Sequence, residues 1–261
     1  MTPAATNGTS PGSAHRPAPP RIELTVTARP SSTLVTANGS LDLAGYAALR
    51  DGLLKIAADG PRGLIIDITG LSINEASPAT VFPFVAARIR DWPGIPLTLV
   101  TQHPGHTRLL HASTIDRYVS VHPDVESAEH ALPHPIHRQA RQVIPRTHYA
   151  TAFARSYVRQ HLAEWSAPEF IDDATVIASE LVENAIRHTT SAPELRLALR
   201  RGMLTIAAAD DDPRHAELIG QREPGGPGLG LQIVADAART WGSNSRWSGG
   251  KVVWAVLRKP T

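Results

Sequence analysis

Strand-like and helix-like segments alternate along the first half of the chain, and this pattern predicts an α/β fold. Apolar and polar residues alternate over residues 22–26, as in a half-buried strand. Asp42 is expected to cap a helix over about residues 43–58. The apolar run at 64–68 is typical of a strand covered on both faces. Strands that alternate with helices predict an open sheet with helices packed on it, here over residues 21–132.

The remaining elements of this half are expected from turn and capping residues. Ser77 and Pro78 open a second helix that runs to about Arg90, because proline is favoured in a first helical turn. The other predicted elements are a buried strand at 97–100, a short helix near 106–112, a strand near 118–121 and a helix near 125–131.

The second half contains two predicted helices followed by a hairpin. One helix is expected from Tyr149 to about Trp165. The second contains the stretch 178–189, within a run from 171 to 192 that has no Gly or Pro. Strands at 195–200 and 203–209 are joined through Arg201 and Gly202. A further helix is expected near 232–238. These elements predict a second α/β unit, for which the family resemblance given below implies an α/β sandwich.

Composition sets the domain boundaries. Residues 1–20 have almost no large apolar side chain and are predicted to be a disordered tail. The prolines and arginines of residues 133–147 predict a linker. We therefore expect one domain at 21–132 and another at 148–259.

Charge and residue usage exclude several classes of function. The formal net charge is +2, from 26 basic and 24 acidic residues, which does not indicate a nucleic-acid-binding surface. Cysteine is absent, so neither disulfides nor thiolate chemistry is expected, and the 12 histidines lack the spacing of a zinc motif. No apolar run reaches the roughly 18 residues of a membrane span, and no signal peptide is evident. A cytoplasmic protein is expected.

Candidate chemistry centres on the helix at 171–192. Glu180 and Asn184 are four residues apart and so lie on one helix face. A carboxylate can accept a proton, and an amide oxygen can bind Mg²⁺ that keeps its phosphate and water ligands. A solvated helix face is the alternative. The glycine-rich run at 225–231 precedes a helix start and could hold phosphate, or could be a flexible loop.

Taken in order, these segments resemble the ATP-binding domain of the GHKL superfamily, especially the anti-sigma-factor serine kinases of actinobacteria. Residues 180–185 resemble the N-box, and residues 249–254 resemble the closing strand. The resemblance covers about residues 146–257. It implies ATP and Mg²⁺ as cofactors, with Glu180 as the catalytic base and Asn184 as the Mg²⁺ ligand. It assigns the nucleotide to Asn184, Asp210, Gly226, Gly228, Leu229, Gly230 and Leu231.

Within this resemblance, Asp210 would accept a hydrogen bond from the adenine amino group. Asp212 and Arg214 stand where the wider family often has glycines, which is a departure from its pattern. Asp211 and Asp212 are expected to form the turn. Lys251 could lie near the phosphates, but a solvated residue at the start of a strand is the expectation.

Residues 22–132 resemble a STAS domain, the fold of anti-sigma-factor antagonists. The resemblance rests on residues 38–42, 66–71 and 109–110. The family's phosphoacceptor loop corresponds to Glu75, Ala76 and Ser77. Ala76 occupies the acceptor position and has no hydroxyl, so the loop is degenerate, and Ser77 is expected to cap the next helix.

The combined resemblance implies an ATP-dependent serine/threonine kinase of the anti-sigma-factor type, with a sigma factor, a separate STAS protein, or both as partners. No nucleic acid or membrane contact is expected, and the oligomeric state, a homodimer included, is left open. The alternative is a non-catalytic protein-binding scaffold whose ATP-binding fold senses nucleotide or stays empty. A two-component histidine kinase would need a dimerising helix pair before Tyr149, where the segment is short and proline-rich.

Overall fold

The computed structural model describes residues 21–132, 138–214, 216 and 229–259, and these residues form two units with separate hydrophobic cores. The first core draws on residues from Ile22 to Val121, and the second on residues from Ala140 to Leu257. Both units combine a sheet with helices, so the predicted α/β class is confirmed. The tail predicted at 1–20 lies outside the described residues.

The first unit is a mixed sheet with helices packed on it. The strand order is β1-β2-β3-β5-β6, with β1 antiparallel to β2, the other pairs parallel, and β4 paired to β2. The strands are β1 Glu23–Ala28, β2 Thr33–Ser40, β3 Leu64–Asp67, β4 Leu71–Ser72, β5 Leu97–Val100 and β6 Ser120–His122. The helices are α1 Leu43–Ala58, α2 Ala76–Ala79, α3 Val81–Asp91, α4 Pro104–Ala112 and α5 Val125–Ala131, with a 3-10 turn at Ile115–Arg117.

Local sequence explains the best-predicted parts of this unit. Asp42 caps α1, since its Oδ1 accepts a hydrogen bond of 2.8 Å from the backbone N–H of Gly45. Strand β3 is covered on both faces, as predicted. Ile66 belongs to the main core, whereas Ile65 packs on the other face with Ala128 of α5.

The helix predicted from Ser77 to Arg90 is interrupted, and this corrects the prediction. It forms as α2 and α3, which meet at Thr80. Pro83 has no N–H to donate to the carbonyl of Ala79, and its ring crowds that carbonyl, so a continuous helix cannot pass this point. The Thr80 hydroxyl instead donates to the carbonyl oxygen of Ser77 at 2.7 Å. Ser77 lies inside α2, which begins after Glu75 without a side-chain cap, so Ser77 does not cap the helix as predicted.

The second unit is an antiparallel sheet with the order β10-β11-β9-β8-β7, covered by helices on one face. The strands are β7 Arg138–Val143, β8 Glu194–Arg200, β9 Met203–Asp210, β10 Thr240–Ser245 and β11 Lys251–Arg258. The helices are α6 Ala150–Glu164, α7 Ile171–His188 and α8 Leu229–Ala237, with a 3-10 turn at Pro168–Phe170. None of the helices in the described ranges has the length and apolar character needed to cross a membrane.

Strand β7 corrects the predicted linker at 133–147. Its six residues pair with six of the seven residues of β8, from Arg138 with Leu199 to Val143 with Glu194. An edge strand is held by backbone hydrogen bonds and can keep charged side chains in solvent, so the basic composition did not reveal it. The following residue, Ile144, is fully buried in the second core. The described part of the second unit therefore begins at Arg138, ten residues before the predicted boundary at 148.

The two faces of the second sheet have different coverings, which follow from the alternation of side chains along a strand. In β9, Leu204, Ile206 and Ala208 face the core under α6, α7 and α8. Ala207 and Ala209 face the other way and pack with Ala58 and Trp92 of the first unit. The first unit thus covers the face of the second sheet that the helices leave open.

The docked faces are joined by one aromatic stack and a set of polar contacts. Trp92, just after α3, stacks on Trp254 of β11 with ring centroids 4.9 Å apart and planes 8° apart. Asp59, just after α1, accepts hydrogen bonds from Arg246 Nε at 3.0 Å and from the Ser248 hydroxyl at 2.6 Å. Arg196 donates to the carbonyl oxygen of Ala58 at 3.0 Å, where the C-terminal end of a helix favours a cation. The C-terminal ends of α1 and α3 therefore anchor the first unit.

Candidate active site

Helix α7 has one apolar and one polar side, as the sequence predicted. Ile177, Leu181 and Ala185 are buried in the second core. Glu180 and Asn184 are both only partly buried, so they lie at the border between core and solvent. Glu183, one position before Asn184, is exposed and pairs with Arg187 at 2.6 Å. The ion pair on α7 is therefore exposed to solvent, whereas Glu180 and Asn184 lie next to the core.

Glu180 lies directly against the start of α8. A Cβ atom at position 230 would collide with Oε2 of Glu180, so the Glu180 carboxylate would have to move to accommodate any side chain there. Leu231, the next residue, is buried in the core, whereas Leu229 is 40% exposed. The structure therefore brings Glu180 and Gly230, which are distant in sequence, into one place.

The environment of Glu180 favours its protonated form. Burial raises the pKa of the Glu180 carboxyl above its ordinary value, and the negative charge of Glu183 raises it further, against a smaller opposing effect of Arg187. A carboxylate with a raised pKa is a stronger proton acceptor once it is ionised, which suits a general base.

Asp210 ends β9 and is buried with Lys251, which begins β11. The two residues are paired across the strands, and each is 2% exposed. Asp210 Oδ1 accepts hydrogen bonds from Lys251 Nζ at 2.9 Å and from the backbone N–H of Asp212 at 2.8 Å. Asp210 Oδ2 is buried and has no hydrogen-bond partner in the described part of the chain. A buried carboxylate oxygen without a donor is costly, so this atom is suited to accept a donor from a ligand.

The position of Lys251 contradicts the prediction of a solvated strand-start lysine. Lys251 shares the core-facing side of β11 with Val253 and Ala255, which lie two and four residues further along. The sequence did contain this signal, since counting back by twos from the apolar residues of β11 places Lys251 on the buried face.

Asp212 does more than form the predicted turn. Its side chain accepts from the backbone N–H of Arg214 at 3.1 Å, which is a turn contact, and it lies 3.3 Å from Lys251 Nζ. Hydrogen bonding to Arg214, with a smaller contribution from Lys251, holds the pKa of the Asp212 carboxyl well below its usual range. Asp212 is therefore a second anion beside the buried lysine.

The remaining predicted ligands are only partly described. Gly226 and Gly228 lie outside the described residues. The Asn184 side chain has no hydrogen-bond partner among the described residues, so its amide oxygen is available to a ligand. Within the same ranges no group of three or more His, Asp or Glu side chains could hold a metal. The donor set fits a Mg²⁺ ion that takes one protein oxygen and completes its shell with phosphate and water.

The loop that was predicted to be a degenerate phosphoacceptor loop lies away from the docked face. Glu75, Ala76 and Ser77 are exposed at the start of α2. Helix α3 separates this loop from Trp92, and its 11 residues extend about 15 Å along the helix axis. The contacts to the second unit lie at the opposite end of α3, so docking leaves Ala76 exposed.

Replacing Gly230 with alanine should affect Glu180 specifically. The new Cβ would push aside the Glu180 carboxylate, which ends a flexible side chain, while alanine favours the helix over glycine. We therefore expect Gly230→Ala to raise the melting temperature less in the wild type than on a Glu180→Ala background, where the colliding carboxylate is gone. Thermal melts of the wild type, the two single variants and the double variant give this comparison. Equal shifts on both backgrounds would show that Gly230 and Glu180 are not in contact.

Comparison with a family model concerns the first unit. Residues 22–128 match the family model described as "STAS domain". Anti-sigma-F factor antagonist RsfA from two strains of Mycobacterium tuberculosis is 28% identical over 124 residues, which cover 47% of this chain and 96% of that protein.

Two solved structures are also similar over less than half of the chain. An anti-sigma factor antagonist from Mycobacterium paratuberculosis has 19% identity and a TM-score of 0.39, with 42% of this chain and 93% of that chain covered. The RsbU and RsbW domains of Rv1364c from Mycobacterium tuberculosis have 21% identity and a TM-score of 0.36, with 46% and 32% covered. The kinase-type resemblance of the second unit stays a prediction. The first unit contains a STAS domain like that of anti-sigma-factor antagonists, and this domain spans residues 22–128.

Proposed function

We propose that the chain regulates a sigma factor by partner switching and that its second unit is an ATP-dependent serine/threonine kinase acting on a separate STAS protein. The observation that carries this proposal is the buried Asp210 Oδ2 on the helix-covered side of the sheet, which has no hydrogen-bond partner among the described residues. On the same side Glu180 meets Gly230 at the start of α8. Asp210, which can accept a hydrogen bond from a nucleobase, and Glu180, which can accept the proton of a hydroxyl, thus lie on the same face of the second unit.

Each residue has a distinct role in this proposal. Asp210 Oδ2 accepts a hydrogen bond from an exocyclic amino group, and Asn184 offers its amide oxygen to Mg²⁺. The start of α8, where Leu229 and Gly230 lie, presents free backbone N–H groups that favour phosphate. Glu180 accepts the proton of an incoming serine or threonine hydroxyl. Mg·ATP supplies the transferable phosphoryl group and the cationic charge that stabilises its transfer.

The identity of the partner rests on the first unit. The similar curated proteins are named as anti-sigma-F factor antagonists. A chain that carries a domain of this type belongs in a pathway where such antagonists exchange between partners. In this chain the loop Glu75-Ala76-Ser77 lacks a hydroxyl at the acceptor position, so the phosphoacceptor is expected on a separate STAS protein.

Phosphate transfer from labelled ATP to a serine-bearing STAS protein tests the proposal. We expect transfer by the wild type and a loss of about hundredfold or more in Glu180→Gln, because a positioned general base contributes that much. Glu183→Gln is the matched control, since Glu183 lies on the same helix but is exposed and paired with Arg187. No transfer by the wild type, or equal rates in both variants, would contradict the catalytic role.

The pH dependence of transfer should follow Glu180. Because the pKa of Glu180 is raised, the ionised base is lost as the pH falls through that raised value, and the rate should drop at a higher pH than for an ordinary glutamate. Ionisation of a group with a raised folded-state pKa destabilises the fold. Glu180→Gln should therefore melt at a higher temperature than the wild type at neutral pH, and this advantage should vanish at acidic pH. A pH series of rates and melts checks both signs.

The second candidate is a non-catalytic scaffold, which the docking of the two units favours. The first unit packs on β9 and β11 of the second sheet, and the Ala76 loop has no hydroxyl at its acceptor position. Such a scaffold would bind sigma-factor regulators with both units. ATP binding without transfer to any STAS protein would favour it.

A further inference from the structure

Lys251 is a buried cation with an unused hydrogen-bond donor. Its ammonium group has three N–H donors. One is used by Asp210 Oδ1 at 2.9 Å, and a second faces Asp212 Oδ2 at 3.3 Å. The third has no acceptor among the described residues. Since Lys251 is only 2% exposed, water does not readily supply the missing acceptor.

The unused donor lies beside an unused acceptor. Asp210 Oδ2 is buried and has no partner within the described ranges, and the other oxygen of the same carboxylate accepts a hydrogen bond from Lys251 Nζ. The ion pair therefore presents one free acceptor and one free donor next to each other. An unpaired acceptor next to an unpaired donor indicates a ligand that presents a hydrogen-bond donor beside an acceptor along one edge.

We propose that Lys251 is a specificity-determining residue that donates a hydrogen bond to N1 of an adenine base while Asp210 Oδ2 accepts from its exocyclic amino group. This inference rests on the proposed nucleotide-binding function and names how the base is recognised. Adenine offers a donor at the amino group and an acceptor at N1. Guanine offers the reverse, a carbonyl oxygen and an N1–H, so it would set oxygen against Asp210 and a donor against Lys251.

The position of Lys251 in the sheet explains why it can take this role. Lys251 is paired with Asp210 across β9 and β11, so both side chains leave the same face at the same level. The turn before Lys251 is tight, since a side chain at position 250 would collide with the backbone of Asp210. Gly250 also has φ +72°, which glycine adopts without strain. The ion pair is thereby held at the end of β9.

A ligand in which N1 is replaced by C–H tests the proposal without altering the protein. We expect 1-deaza-ATP to bind the full chain about ten- to hundredfold more weakly than ATP in calorimetric titration with Mg²⁺, the value of one hydrogen bond to a charged group. The matched control is 7-deaza-ATP, which changes the opposite edge of the base and should bind like ATP. Equal binding of 1-deaza-ATP and ATP would overturn the inference while leaving the nucleotide site intact. If neither ATP nor its analogues bind, the proposed function itself fails.

Variants of Lys251 provide a second, independent test of the contact with N1. In Lys251→Met the preference for ATP over 1-deaza-ATP should disappear, because the donor is absent. In Lys251→Gln, which keeps an N–H donor, part of the preference should remain. A full preference retained in Lys251→Met would show that Lys251 does not contact N1.

Discussion

Replacing Lys251 with methionine should lower the free energy of unfolding by about 3–5 kcal/mol, the usual effect of removing one partner of a buried ion pair. The change leaves Asp210, which is 2% exposed, as a buried carboxylate without its cation. Asp212 also loses a neighbouring positive charge at 3.3 Å. Methionine has a similar length and fills the same space, so packing contributes little to the loss. Denaturant titration monitored by circular dichroism measures it.

A control variant and a rescue variant distinguish the loss of the ion pair from a general loss of stability. Lys259→Met removes an exposed lysine, paired with Glu169 at 3.0 Å, and should change the midpoint little. Adding Asp210→Asn to Lys251→Met should recover part of the lost stability, because the uncompensated buried charge is gone. If Lys251→Met is as mild as Lys259→Met, the buried pair does not exist in solution.

Replacing Trp92 with alanine should separate the two units. Trp92 is 8% exposed and stacks on Trp254 within the apolar cluster that joins the units. Truncating a buried aromatic side chain costs about 3–5 kcal/mol. Here the loss falls on contacts between the units, because each unit keeps its own core. We expect scanning calorimetry to show two transitions for Trp92→Ala where the wild type shows one, and small-angle scattering to show a larger radius of gyration.

Asp59→Ala should act in the same direction through polar contacts, since Asp59 accepts bonds from Arg246 and from the backbone and hydroxyl of Ser248. Tyr118→Ala is the control, because Tyr118 is 66% exposed in the first unit. A single transition and an unchanged radius in Trp92→Ala would mean that the units do not dock through this surface.

The sequence predicted the elements that depend mainly on neighbouring residues. Helix α1 was predicted with both its ends and its Asp42 cap, and the hairpin of β8 and β9 was predicted with its Arg201-Gly202 turn. These features depend on capping and on left-handed turn conformations, which adjacent residues determine. The break between α2 and α3 could also have been predicted from Pro83, whose effect on Ala79 is equally local.

Pairings between distant segments could not be predicted in this way. Strand β7 is defined by its hydrogen bonds to β8, more than fifty residues away, and its own sequence is mostly basic and polar. The docking of the two units depends on Trp92 and Trp254, which look like ordinary core residues in the sequence. Side-chain composition does not specify a partner for such residues.

The candidate site contains one feature that the sequence predicted and one that it did not. The resemblance assigned Glu180 and Gly230 to one nucleotide site, and the structure brings these two residues into contact. The Asp210–Lys251 pair was missed because a lysine at the start of a strand was read as solvated. The assignment of Asn184, Leu229, Gly230 and Leu231 to nucleotide and Mg²⁺ stays a prediction, as does that of Gly226 and Gly228.

The docking of the first unit determines which face of the second unit a partner protein could reach. The first unit occupies the face of the sheet opposite to α7 and α8, so it does not cover Glu180 or the helix-side end of β9. The Ala76 loop remains exposed at the other end of α3. In the proposed function, a separate STAS protein could therefore reach the kinase face while the chain's own STAS domain stays docked.

The central claim is that Glu180, Asp210 and the start of α8 surround one bound Mg·ATP. Hydrogen–deuterium exchange of the full chain with and without Mg·ATP tests it most directly. The account predicts slower exchange at residues 180–184, 210–212 and 229–232 together, and no change at 75–77. Unchanged exchange in these three segments at saturating Mg·ATP, or protection confined to other parts of the chain, would contradict it.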